Sequence, residues 1–194
     1  MADKKENLLQ SAKELFSSKG FKDTSVSEIT QKAGVATGTY YLYYTSKEQL
    51  FMEIYLAEND RLKHEILQSF DPDGEPLQEF LKLMQANIDG MQANPILREW
   101  FNQEVFQKIE QKYNEENGLD RMDFMYDYFL DIIRGWQTQG KIRADIESEM
   151  IMAIFSTIIV IDLHKDEIGF QYFPKVQEHL TEFIMAGLTN FPRK

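Results

Sequence analysis

Thr37, Thr39, Tyr40, Tyr41, Tyr43, Tyr44 and Lys47 crowd hydroxyl, phenol and ammonium groups into one short stretch of the chain. Such groups form single hydrogen bonds from small or flat side chains, which suits phosphate oxygens and base edges better than bond-making chemistry. The four tyrosines fall within five positions and cannot all face one small core, so some must be exposed. Gly38, between the two threonines, leaves room for a close approach. No other constellation competes. His64, His164 and His179 fall on separate predicted helices, without an HExxH pattern or a close carboxylate partner. The chain has no cysteine, which excludes disulfides and thiolate metal sites. Glu115-Glu116 and Asp166-Glu167 lack the spacing of a calcium loop, and Gly34-x-x-x-Gly38 is not followed by the Lys and Ser/Thr of a phosphate loop. No enzyme activity, metal or cofactor is expected.

The elements that must carry this stretch are helical. Ser25-x-x-Glu28 is a capping-box pattern, opening a helix that runs to about Ala33. Gly34 supplies the positive φ that stops it and turns the chain. A second short helix is expected from Thr37 to Tyr43, with Thr37, Thr39, Tyr41 and Tyr43 on its polar face. So short a helix cannot stand alone in water and must be braced by neighbours. Upstream, Leu8, Leu9, Ala12, Leu15 and Phe16 stripe a first helix ended by Gly20, with Phe21 folding back on it. Downstream, Ser46 and Glu48 open a long helix to about Phe70 that bridges this module and the rest.

Residues 25–50 closely resemble the N-terminal domain of TetR-family transcriptional repressors. The resemblance is carried by Ile29, Ala33, Gly34, Val35, Gly38, Thr39, Tyr40, Tyr41, Tyr43, Ser46, Lys47 and Leu50, with Ala12, Leu15, Phe16, Gly20, Phe21 and Thr24 upstream. Thr30 and Tyr44 depart from the alanine and phenylalanine usual there, and Ala36 from the serine that caps the recognition helix. The resemblance implies that Thr37, Gly38 and Thr39 lie near base edges and phosphates. It implies phosphate contacts for Tyr41, Tyr43 and Lys47, an anchor at Ser25 or Thr24, and an inward Tyr40. It also implies a palindromic double-stranded operator met by a homodimer paired through its last two helices, at Phe155, Ile158, Ile159, Val176, Leu180, Phe183, Ile184 and Gly187. Finally, it implies a chamber for a small-molecule inducer between the central helices, with Tyr55, Leu62, Phe80, Met84, Trp100, Phe101, Glu104, Met122, Tyr126 and Phe129 as candidate lining. Aromatic and Met-rich walls suit an aromatic or lipophilic compound, and Glu104 would favour a cationic one.

Every other periodic signal in the 194 residues is helical too, so the fold class is all-α. DPDGEP at 71–76 is a turn, Asn94-Pro95 breaks the helix after it, and a single helix is expected from Pro95 to Tyr113. After a polar run at 114–118, a helix ends near Gly140. Met150 to Ile161 is apolar almost all round, as for a helix buried on several sides, but too short to span a bilayer. With a charged N-terminus and no signal peptide, a cytoplasmic protein without membrane contact is expected. The expected domains are a DNA-binding module over 1–47 and a ligand-binding and dimerisation domain over 48–194. Net charge is −11, yet residues 1–50 hold seven lysines against six acids, so the excess acid lies outside that module and confines DNA contact to it. A different class of function stays open: a helical small-molecule binding protein without a DNA role.

Overall fold

The computed structural model describes residues 4–115 and 123–190, and every regular element among them is helical. These are α1 (Lys4–Lys19), α2 (Val26–Ala33), α3 (Thr37–Tyr40), α4 (Lys47–Gln68), α5 (Pro76–Ala93), α6 (Gln103–Glu115), α7 (Asp123–Thr138), α8 (Ser148–Leu163), α9 (Lys165–Ile168) and α10 (Lys175–Thr189), with 3-10 turns at Leu97–Phe101 and Phe170–Tyr172. Met122 and the end of the 114–118 polar run lie outside the described residues. The chain divides into two compact units, Met1–His64 with Asp89–Leu119, and Glu65–Ile88 with Asp120–Lys194. That division cuts α4 and α5, because the core under the N-terminal helices also uses residues near 100.

In the first unit α1 buries Leu8, Ala12 and Phe16. Gly20, at φ +83, ends it with a bond from its N–H to the Phe16 carbonyl at 2.9 Å. Phe21 then returns to form a nucleus of edge-on and tilted rings, 5.9 Å from Phe16 and 4.9 Å from Phe51. Tyr55, one turn along α4 from Phe51, stacks on Trp100 at 5.4 Å, and Trp100 meets Phe106 edge-on at 4.9 Å. The helix expected over 95–113 is broken here. The Asn94 side chain accepts from the Ile96 and Leu97 N–H groups and starts a 3-10 turn, and Asn102 then adopts an extended conformation. The Asn102 carbonyl in turn accepts from Val105 and Phe106 to open α6. The Asn94 side chain, by taking backbone N–H groups, favours this break, which hydrophobic spacing cannot reveal.

In the second unit the turn at 71–76 is held from several sides. The Trp136 indole donates to the Pro72 carbonyl at 2.8 Å, Lys141 to the Gly74 carbonyl at 3.0 Å, and Glu79 accepts from Asp71 N–H at 3.2 Å. Phe70, Phe129, Ile133, Trp136, Ile151 and Met185 form the centre of its core. The expectation that α8 is buried on several sides is not met within one chain. Ile151, Met152 and Ile158 are buried, but Met150, Ile159 and Val160 are exposed, and Phe183 of α10 is 70% exposed. An all-apolar helix gives no periodic signal of which face turns inward. Among the described residues no helix is long and apolar enough to cross a membrane.

Glu58 joins three segments of the first unit. Its buried carboxylate accepts from Lys13 at 2.5 Å, Arg61 at 2.6 Å and Asn94 at 2.8 Å. Burial pushes this carboxyl up, but the hydrogen bonds from Lys13 and Asn94 and the nearby charges outweigh it and hold it below the ordinary 4.5. A depressed folded-state value means that the contribution of Glu58 is fully present above the ordinary value and is lost as pH falls through the folded one. Glu58→Gln should therefore lower stability at neutral pH by about 1–2 kcal/mol. Chemical denaturation across acidic pH should show a shallower acid-induced loss for the variant; parallel profiles would mean that Glu58 carries no such linkage.

Candidate nucleic-acid interface

Ser25 caps α2 as its sequence demands. Its hydroxyl accepts from Glu28 N–H at 3.2 Å, while the Glu28 carboxylate accepts from Ser25 N–H at 2.9 Å. A hydrogen bond from Lys19, together with the Ser25 backbone and hydroxyl, pulls the Glu28 carboxyl down to about 2. Gly34 lies at φ +67 and turns the chain, with Val35 N–H donating back to the Thr30 carbonyl at 3.0 Å. α3 is three residues shorter than expected, continuing as a turn over 41–43. Ala36 occupies its N-cap without any side-chain bond, so Thr37 does not replace the missing serine.

The tyrosines divide two and two. Tyr40 and Tyr44 are buried; the Tyr40 hydroxyl donates to the Ser46 carbonyl at 2.8 Å. Burial raises both phenols well above their ordinary value. The Tyr44 hydroxyl lies near Glu53 without a hydrogen-bond partner of normal length among the described residues. Tyr41 and Tyr43 are exposed, as are Thr37 and Gly38. Leu42 between the tyrosines is 80% exposed, an apolar member of this face that hydroxyl spacing did not single out. A Cβ built on Gly38 meets nothing within 4 Å and its φ is not left-handed, so nothing inside the fold requires glycine there.

Three expected anchors are engaged by the protein itself. Thr24 is buried and its hydroxyl donates to the Gly20 carbonyl at 2.8 Å, which turns it away from any phosphate. The Ser25 hydroxyl is committed to the capping box although the residue is exposed. Lys47 donates to the carbonyls of Phe21 and Thr24, each at 2.7 Å, with its ammonium 4.2 Å from the centre of the Phe21 ring. Burial lowers its pKa, chiefly by withdrawing the ammonium from water. It thus clamps the loop from α1 to α2 onto α4, leaving one N–H for an outside partner. A second grip on this loop lay beyond sequence reasoning: Glu99 accepts from Phe21 N–H at 2.9 Å.

The candidate ligand residues are not gathered in one unit. Tyr55, Leu62, Trp100, Phe101 and Glu104 belong to the first, Phe80, Met84, Tyr126 and Phe129 to the second, and Met122 is not described. Tyr55 and Trp100 are buried against each other, and Leu62 fills the space over Gly90, where an added Cβ would lie 2.3 Å from it. Glu104, expected to line the chamber and favour a cationic compound, sits on the surface, paired with Lys22 at 2.6 Å, and that bond lowers its pKa. Phe80 stacks on Phe155 at 4.4 Å and lies 5.8 Å from Phe129, while Tyr126 is exposed. Of the expected dimer residues, Phe155 and Ile158 pack into their own chain, Ile159, Phe183 and Gly187 are exposed, and Val176, Leu180 and Ile184 are half-buried. No group of His, Asp and Glu among the described residues could hold a metal ion.

A family model described as bacterial regulatory proteins of the tetR family matches residues 8–54. The HTH-type transcriptional repressor KstR2 of Mycolicibacterium smegmatis is 22% identical, over 93% of this chain and 92% of its own. The HTH-type transcriptional regulator YvdT of Bacillus subtilis is 50% identical over 56 residues, 29% of this chain and 28% of its own. Among solved structures, the transcriptional regulator FadR of Bacillus subtilis in complex with stearoyl-CoA superposes with a TM-score of 0.57 at 16% identity, covering 94% of this chain and 98% of that one.

Lys47→Ala should leave the Phe21 and Thr24 carbonyls without their donor and cost about 1–3 kcal/mol of stability. Thermal melting with and without salt checks this. A variant that melts like the wild type would limit Lys47 to an outside contact.

Proposed function

We propose that this chain, a TetR-family transcriptional regulator that binds DNA through its helix-turn-helix, acts as a homodimeric repressor released from a palindromic operator by a small molecule. The observation that carries the DNA role is the division of the tyrosines. Tyr40 and Tyr44 fasten a four-residue helix from within, so Thr37, Gly38, Tyr41 and Tyr43 stand exposed together on a braced support. Thr37, Gly38 and Thr39 would meet base edges, and Tyr41 and Tyr43 would each give a hydrogen bond to phosphate. Lys47 and Ser25 would act chiefly by holding α2, with one Lys47 N–H left for phosphate. Repression is supported by KstR2, a repressor matched over most of both chains.

Dimerisation is supported by the exposed apolar side chains of α8 and α10, among them Ile159, Val160 and Phe183. A two-fold pair of readers would place two recognition helices about one helical turn of DNA apart. The inducer would be lipophilic, in keeping with the aromatic side chains of the central helices and with the acyl thioester bound by FadR. α4 would carry its signal: Lys47 in its first turn grips the α1–α2 loop, and Tyr55 lies against Trp100. Such a ligand can release DNA only by binding the DNA-incompetent state more tightly, and operator DNA then weakens ligand binding by the same factor.

The test is binding to the promoter duplex beside the protein's own gene at rising salt. Affinity should fall linearly on a logarithmic scale, since phosphate contacts release counterions. Gly38→Ala should keep or slightly raise stability, by up to about 1 kcal/mol, because alanine is the better helix former. It should nevertheless weaken the operator complex by crowding the approach to DNA. Salt-independent binding, or full affinity in the variant, would defeat the assignment.

Phe183→Asp should separate the dimer without unfolding the chain, since the side chain is exposed in one protomer. A two-fold interface loses the contact twice, so self-association should weaken on the order of a hundredfold or more. Sedimentation velocity and operator titration should change together. Ile158→Asp should instead unfold the protomer, because Ile158 is buried in its own chain. An intact Phe183→Asp dimer would move the interface elsewhere.

A further inference from the structure

Thr30 is buried on α2, one turn before Gly34, and its side chain reaches the first residue of α3. Its hydroxyl donates to the Ser27 carbonyl at 3.0 Å and lies 3.5 Å from the Thr37 hydroxyl, a long contact beside the roughly 2.5–3.0 Å of an ordinary O–H···O bond, which would have to shorten on binding. A hydroxyl has one proton and two lone pairs. With the Thr30 proton on Ser27, Thr30 can only accept from Thr37, so the proton between the two oxygens is that of Thr37. A chain of donors then runs from Thr37 to Thr30 to the Ser27 carbonyl. The exposed side of Thr37 keeps only lone pairs. Ala36, with no side-chain bond, offers the Thr37 hydroxyl no competing partner at the cap.

We infer that Thr30 is a specificity-determining residue: it orients the Thr37 hydroxyl so that Thr37 offers only acceptors to the DNA groove, selecting an exocyclic amino group of adenine or cytosine. This rests on the DNA-reading role proposed above and names the edge that one residue reads. Phosphate oxygens, guanine O6 and N7 and thymine O4 are all acceptors, and each would face the Thr37 lone pairs unfavourably. Thr37 is therefore a base reader and not a backbone contact. Thr30 touches no DNA itself and acts by position.

The full-length protein should be used to enrich a random duplex library, and the enriched duplex then rebuilt with single base analogues. Purine in place of adenine, or 2-pyrimidinone in place of cytosine, removes the amino group; 7-deazapurines remove an acceptor. One position in each half-site should lose about threefold to tenfold in wild-type affinity when its amino group is removed. The same removal should cost Thr37→Val nothing, which cancels any effect of the analogue on the duplex itself. Thr30→Val, similar in shape but without the hydroxyl, should accept a keto base at that position, whereas Thr30→Ser should select as the wild type does. Should Thr30→Val fold poorly, comparing Thr37→Val with Thr37→Ser on the analogue duplexes still decides, because only the serine keeps an oriented hydroxyl. The inference is overturned if no amino group is coupled to Thr37, if the coupled group is an acceptor, or if a folded Thr30→Val keeps the wild-type preference. If the wild type enriches no sequence at all, the DNA-reading role falls and this inference with it.

Discussion

A four-residue helix has almost no cooperative stability in water, so α3 must be held in shape by everything around it. Its own cap supplies nothing, since Ala36 has no side-chain acceptor. The bracing comes from the other end and from below. Tyr40 is fully buried and bonded to the Ser46 carbonyl, Tyr44 is buried one turn later, and both drive their rings into the ground on which α3 rests. The exposed side chains inherit a fixed position from the buried ones. A reader built from small hydroxyls depends on this, because short side chains cannot reach to compensate for a misplaced backbone.

The same dependence extends to the loop before α2. Gly20 is favoured by its left-handed φ, and an added Cβ would meet the Glu99 carboxylate at 2.8 Å and push it from its place. That close passage lets Glu99 take the Phe21 N–H while Lys47 takes the carbonyls of Phe21 and Thr24. An acid and a base thus satisfy opposite backbone groups of one loop, and the Phe21 ring packs against the Lys47 ammonium. Glu99 and Trp100 are neighbours on one 3-10 turn, so the residue that stacks on Tyr55 is covalently tied to one that holds the loop. A shift of that turn would be felt at both places at once.

What could be read from sequence follows from the range of each signal. The capping box at Ser25, the stops at Gly20 and Gly34 and the stripe Leu8, Ala12, Phe16 are local, and each has its expected geometry. Crowding implied only that some of the four tyrosines are exposed; the inward Tyr40 followed from the family resemblance, and Tyr40 is buried. Other features depend on partners far along the chain. Nothing near Lys47 announces that its ammonium will be used by carbonyls of residues 21 and 24, and Glu104 gave no sign that Lys22 would claim it at the surface. α3 was overextended because Tyr40 and Tyr44 keep helical spacing, and Tyr44 N–H does bond the Tyr40 carbonyl after the regular helix has ended. The short elements between α8 and α10 carry too few residues to show a period at all.

Charge gives the proposed assembly its direction. The first fifty residues carry seven lysines against six acids, so the excess acid resides in the remainder, which phosphate repels. Two such acidic chains would repel least where the facing surface carries no charge. Met150 to Ile161 of α8 contains no charged residue, and its exposed Ile159 and Val160 would gain by leaving water. Within the reader, Lys19 is already paired with Glu28, Lys32 with Glu14 and Lys5 with Glu53. In the proposed complex, attraction to the duplex would therefore be weak at long range, and affinity would be made at contact, by Thr37, Tyr41 and Tyr43. A reader that relies on contact and not on a basic field would bind poorly to DNA of the wrong sequence.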